Sequence, residues 1–183
     1  MSFFKTNYES TESAAGNYLK IQPNETVTLR IITAPVEGLQ VFDQQKPIRW
    51  PAGTDAPSAV ANLDERPRQF AAFGVWHYEA GAAKIWVCST KSILRDLQDL
   101  IELEGHPYGY DVQVMRKGAN LQTRYFTKVV NRTEPQPEVA AAAQHYANEV
   151  NLQNLFTGDN PFTPPTKPQP DATGTEAGSA APF

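Results

Sequence analysis

Apolar and polar positions alternate with a period of two along five stretches of the first 132 residues, and at helical spacing along one. In Thr26–Ile31 the alternation buries Val27, Leu29 and Ile31 and turns Arg30 outward. Residues 70–78 place Ala71, Phe73 and Val75 on one side, and Phe70, Trp76 and Tyr78 on the other with small Ala72 and Gly74 between them. Residues 84–88 repeat this, with Ile85 and Val87 on the aliphatic side and Lys84 and Trp86 on the aromatic one. Two more strands, residues 110–116 and 121–130, flank the turn Lys117-Gly118-Ala119-Asn120. Ile93, Leu94, Leu97, Leu100 and Ile101 recur at i, i+3/i+4, i+7, after Ser89 or Thr90 as N-cap and before the stop signals Gly105 and Pro107. Residues 35–67 hold five prolines and little periodicity, which predicts a long connection with a short strand near Val41-Phe42.

The order strand, long loop, strand, strand, helix, strand, strand is that of an OB-fold, so the expected class is all-β with one helix: a five-stranded Greek-key barrel. A ferredoxin-like sheet needs a helix after its first strand, where residues 35–67 do not offer one. The expected organisation is a flexible arm over 1–17, the barrel over 18–132, and an acidic, Pro-rich tail over 133–183. A short helix is expected near 138–150, with Val139, Ala143, Tyr146 and Val150 on one face, and a disordered end follows.

If the aliphatic side is the core, Phe70, Trp76, Tyr78 and Trp86 are left as a platform for unpaired bases, beside Lys84 and Arg30. Arg49 and Trp50 in the long connection, Arg66 and Arg68 before Phe70, and Arg116, Lys117 and Arg124 at the last hairpin surround that face. Those two loops flank the binding face of an OB-fold. Phe126 is expected to share the face of Arg124. The competing reading buries these rings under the arm, the long connection or the 138–150 helix.

Charge alone does not point to nucleic acid, because the chain carries −4. Residues 1–132 hold 15 Lys/Arg against 14 Asp/Glu, whereas residues 133–183 hold one against six. Phosphates must therefore be met by local clusters. One cysteine and three scattered histidines give no disulfide and no metal spacing. With no phosphate loop and no paired nucleophile and base, neither an enzyme nor a cofactor is expected. No apolar run is long enough to span a membrane, so a cytoplasmic protein is expected.

Asp159-Asn160-Pro161-Phe162 and the end Ala180-Ala181-Pro182-Phe183 resemble the acidic Pro-Phe tips of bacterial and phage single-stranded-DNA-binding proteins. With the barrel and tail, the plan is most similar to the phage members. The resemblance implies sequence-independent binding and protection of single-stranded DNA during replication, recombination or repair, in the host cytoplasm if phage-encoded. It also implies recruitment of replication or recombination proteins through Asp159, Pro161 and Phe162 or through Pro182 and Phe183. The terminal copy departs from the family pattern, having Ala180-Ala181 where aspartates are usual. Two other readings stand beside it: a protein-interaction or virion-structural module using the aromatic face, and an RNA-binding module. Oligomeric state is not legible.

Overall fold

The computed structural model describes residues 16–162. Among them the chain is mostly β, with an open antiparallel sheet of seven strands: β1 (Thr26–Ile31), β2 (Val36–Asp43), β3 (Lys46–Pro51), β4 (Arg68–His77), β5 (Ala82–Cys88), β6 (Asp111–Lys117) and β7 (Arg124–Asn131). Three helices accompany it: α1 (Lys91–Glu104), α2 (Pro137–Glu149) and the single turn α3 (Asn154–Thr157).

The strand path is β3-β2-β4-β1-β6-β7, with β5 on the other edge of β4. β4 is the organiser. Along one edge β1 and β2 lie end to end, Ile31 opposite Val75 and Val36 opposite Ala72. At the break between them, Gly74 N donates to Thr33 Oγ1 at 2.8 Å and Ile32 N donates to Gly74 O at 2.8 Å. Along its other edge β4 pairs with β5 from Ala71–Cys88 to His77–Ala82. The far edge of β5 is met by residues 17–19, which form a parallel bridge between Tyr18 and Ile85.

Two features correct the expected architecture. The connection over 35–67 contains the complete β2–β3 hairpin, so the strands number seven rather than five. Its two-residue turn is Gln44-Gln45, both at positive φ (46° and 72°), the geometry of a tight hairpin turn without the usual Asn-Gly. Pro47 and Pro51 fit because β3 is an edge strand, where a missing N–H costs no ladder bond. Among the described residues no ladder joins β5 to β7, so the sheet is not closed as a barrel.

The sheet is packed on both faces. On the inner face, α1 lays Ile93 and Leu97 against Val27, Leu29, Ile31, Phe73, Val75, Trp86, Val112 and Val114. Gly105 at φ 85° ends α1, leaving Ile101 and Leu103 exposed. On the outer face, α2 and the segment to Phe162 lay Val139, Tyr146, Leu152 and Leu155 against Phe70, Ala72, Trp76 and Ile85. Each large side chain buried this way contributes roughly 1.5–3 kcal/mol. Residues 137–162 are thus part of the folded body rather than a tail. Cutting the chain near residue 133 would strip the outer core.

At Gly74 the Tyr146 side chain of α2 packs directly on the sheet. A Cβ there would lie 2.6 Å from Thr33 Cγ2 and 2.8 Å from Tyr146 Cδ1. We expect Gly74→Ala to lower unfolding free energy in urea by about 1–3 kcal/mol through overpacking. An unchanged urea midpoint would contradict this packing.

Candidate nucleic-acid interface

Because α2 and the segment to Phe162 cover the β4–β5 half of the outer face, Phe70 and Trp76 are in the interior rather than open as a base platform. Phe70 is 2% exposed, Trp76 8% and Trp86 4%. Phe70 meets Phe156 edge-on at 5.9 Å, and Trp76 belongs to the cluster under α2. Trp86 also lies on the opposite face from the one expected, opposite Phe73 at a ring separation of 6.0 Å. Ile85 takes the outer side instead. Trp50 is buried with Val41 and Val60 beneath the β2–β3 hairpin.

Several expected phosphate contacts are also committed elsewhere. Arg30 is buried, and its Nε donates to Asp111 Oδ1 at 2.5 Å while Nη2 donates to Thr133 O at 2.9 Å. Asp111 further accepts from the Tyr78 hydroxyl at 2.8 Å and from Asn131 Nδ2 at 3.0 Å. This network places Tyr78 in a structural role. It ties β1, β6, the β4–β5 turn and the lead into α2 together. Arg49 is half-buried, lying over the Phe70 ring at 5.2 Å and donating to Gln40 Oε1 at 3.1 Å. Burial lowers its pKa, with Tyr18 partly opposing this. Arg116 is half-buried, donates from Nη1 to Ile21 O at 2.7 Å and sits 6.0 Å from the Tyr125 ring centre. Lys84 is half-buried opposite Val75. Arg66 and Arg68 are exposed, Arg68 pairing with Gln40 at the β2 end of the sheet path, away from the last hairpin.

What stays open is the outer face of the β6–β7 ribbon. In β7, Tyr125, Thr127 and Val129 are half-buried, whereas Arg124, Phe126, Lys128 and Val130 are exposed. Phe126 thus shares Arg124's face and is 50% exposed. Register sets Lys117 opposite Arg124, Met115 opposite Phe126 and Gln113 opposite Lys128. The Lys117 ammonium lies 5.5 Å from the Phe126 ring centre. Gly118, at φ 75°, makes the turn beyond Lys117, and its N–H is held by Asn24 Oδ1 at 2.9 Å. The patch is one ring and a thioether flanked by three cations, Lys117, Arg124 and Lys128. Lys128 was missed as a site residue, although its spacing of two from Phe126 places it on the same face.

No family model, no curated protein and no solved structure matches this chain.

The internal Pro-Phe copy is part of the body. Pro161 is buried and its carbonyl accepts from Asn151 N at 2.7 Å, while Phe162 meets Tyr18 and Tyr146 edge-on, each at 6.4 Å. Asp159 accepts from Thr157 Oγ1 at 2.7 Å. Docking of this copy as a free tip is therefore incompatible with the fold. Pro182 and Phe183 lie outside the described residues, as does most of the 1–17 arm. The Cys88 thiol is pushed up to about 11 by burial, which leaves it protonated at neutral pH. Among the described residues, no three His, Cys, Asp or Glu side chains converge as a metal site, and no helix is long and apolar enough to cross a membrane.

Two tyrosines report the packing. Tyr146 is pushed up to about 12 by burial, with Tyr18 adding to it. Tyr78 reaches about 12 through burial first, then through the hydrogen bond to Asp111 and its charge. Folding favours the neutral phenols, so their stabilising share is complete below the ordinary value of 10 and is lost as pH rises towards 12. We expect the urea midpoint to fall over that window, and Tyr146→Phe to flatten the fall. An identical pH profile in the variant would contradict the buried placement of Tyr146.

Proposed function

We propose that this chain binds single-stranded DNA with little sequence preference, through the outer face of β6 and β7. The observation that carries the reading is Phe126: a half-exposed ring on a strand paired to β6, with Lys117 at 5.5 Å and Arg124 and Lys128 on the same face. A ring offers a π-face to any base, and the cations track phosphates without reading sequence. The strand path supports it further. Leaving out the β2–β3 hairpin, the order β7-β6-β1-β4-β5 with α1 between β5 and β6 is the OB-fold order lacking its closing ladder. In that comparison the β6–β7 turn is the last hairpin loop, one of the two that border the OB binding face, whose own strands correspond to β4 and β5 and are covered here by α2. On this reading the protein protects single strands during replication, recombination or repair, with Pro182 and Phe183 as the remaining candidates for recruiting partners.

The test is fluorescence anisotropy of a labelled dT oligonucleotide at several salt concentrations. Phe126→Ala is expected to weaken binding by about 1–3 kcal/mol, roughly 5- to 150-fold. Replacing Lys117, Arg124 and Lys128 together by Gln is expected to lower the slope of log K against log salt by about 2, at roughly 0.7 per phosphate contact. Trp50, Trp76 and Trp86 are all buried, so intrinsic fluorescence is expected to change little on binding. Unaltered affinity in both variants would remove this face. No oligonucleotide binding by the parent protein would leave the ribbon as a protein-docking surface.

A further inference from the structure

Among the described residues β5 and β7 share no ladder, and the gap between them is bridged by residues 19–25. Leu19 N donates to Ile85 O at 2.8 Å on the β5 side, and Glu25 O accepts from Arg116 N at 2.8 Å on the β6 side. Between this bridge, the end of β5 and the start of α1 lies a cavity of about 380 Å³, within the range of roughly 300–1,000 Å³ usual for ligand pockets. Arg116 and Tyr125, paired in register, both line it, and Tyr125 packs on the inner core. The cavity is therefore on the inner side of the sheet, away from the face that carries Phe126.

Lys20 and Arg116 are the charged residues of its lining, and no Asp or Glu is among them. Glu25, the acid of the bridging segment, lies outside the lining, and its carboxylate accepts from Gln22 N. Arg116 gives Ile21 O one N–H, its Nε is buried without a partner, and it pairs with no carboxylate among the described residues. Thr90, the N-cap residue of α1, makes no side-chain bond to the helix, so its hydroxyl and that of Ser89 can turn to the same space. Leu19, Ile93 and half-buried Tyr125 give an apolar floor. A guanidinium fork, an ammonium and two hydroxyls beside apolar side chains match a phosphate monoester on a flat, largely apolar body.

We propose that this cavity binds a nucleotide by its phosphate monoester. Arg116 and Lys20 meet the phosphate oxygens, the Ser89 and Thr90 hydroxyls donate to them, and the nucleoside lies over Leu19, Ile93 and Tyr125. The same chemistry is offered by a free mononucleotide and by the 5′-phosphate end of a strand. The site does not depend on the β6–β7 ribbon and stands whether or not that ribbon binds DNA.

The experiment is an NMR titration of the full chain with thymidine 5′-monophosphate, with thymidine and inorganic phosphate as controls. Shifts are expected at the amides of Lys20, Gln22, Ser89 and Thr90 and at the Arg116 Nε–H, with Lys128 unmoved. Lys20→Glu, at an exposed position, is expected to weaken the nucleotide by about 10-fold. Arg116→Lys keeps the charge and loses the fork, and should weaken it too, with the circular dichroism spectrum unchanged. A dT oligonucleotide with a 5′-phosphate, compared with the same strand ending in a 5′-hydroxyl, separates the two sources. Pocket shifts that need the 5′-phosphate would support the proposal with the strand end as ligand, and shifts with the mononucleotide alone would support it with the free nucleotide. No shift at these residues with either phosphorylated probe, equal shifts with thymidine, or unchanged affinity in Lys20→Glu would overturn it. Inorganic phosphate binding as tightly as the nucleotide would overturn the nucleotide as ligand.

Discussion

β4 is buried on both faces from Phe70 to His77, and the rest of the molecule follows from that. A ten-residue strand whose two sides are both apolar cannot lie at a surface, so it needs one layer beneath it and another above. α1 supplies the first layer and α2 with residues 150–162 the second. Small residues make the second layer possible. Ala72 and Gly74 leave the outer side of β4 shallow between Phe70 and Trp76, and Tyr146 occupies the space over Gly74. A pattern that looks like a platform for bases is, in this fold, a socket for a helix.

The Arg30–Asp111 pair marks where that cover stops. Both side chains are nearly inaccessible, and removing one partner of such a pair typically costs about 3–5 kcal/mol because the other charge is left buried. Its hydrogen bonds run to Tyr78, Asn131 and Thr133, so it sits where the outer core meets the β6–β7 ribbon. On one side of it the outer face belongs to α2, and on the other to solvent. The division explains why an arginine expected to meet phosphate does structural work, while Lys117, Arg124 and Lys128 remain available.

The elements with a single apolar face were legible in the sequence. β1, α1 and the β6–β7 pair each carry one apolar side, and their spacing placed Val27, Leu29, Ile31, Ile93 and Leu97 in the interior. The same spacing set Phe126 beside Arg124. Of the β2–β3 hairpin only the strand near Val41-Phe42 was legible, because Gln44 and Gln45 adopt positive φ without the Gly or Asn that advertises a turn, and because Pro47 and Pro51 read as breakers. The phase of β5 was misread for a different reason. Ala82-Ala83-Lys84-Ile85-Trp86-Val87-Cys88 is apolar on both sides, so alternation does not say whether Trp86 or Ile85 faces α1. That is settled by pairing with β4, Phe73 opposite Trp86. Composition likewise drew the tail boundary too early. Four of the six acids beyond residue 132 lie in the folded segment that ends at Phe162.

On the proposed reading, single-stranded DNA meets the β6–β7 ribbon and not the aromatic side of β4. The most direct measurement is zero-length ultraviolet crosslinking of a dT oligonucleotide to the full chain, with the modified residue located by mass spectrometry. The adduct is expected at Phe126, with flanking yield inside 124–130, and is expected to disappear in Phe126→Leu. An adduct at Phe70 or Trp76 would overturn this reading, because bases reach those rings only if residues 137–162 leave the sheet.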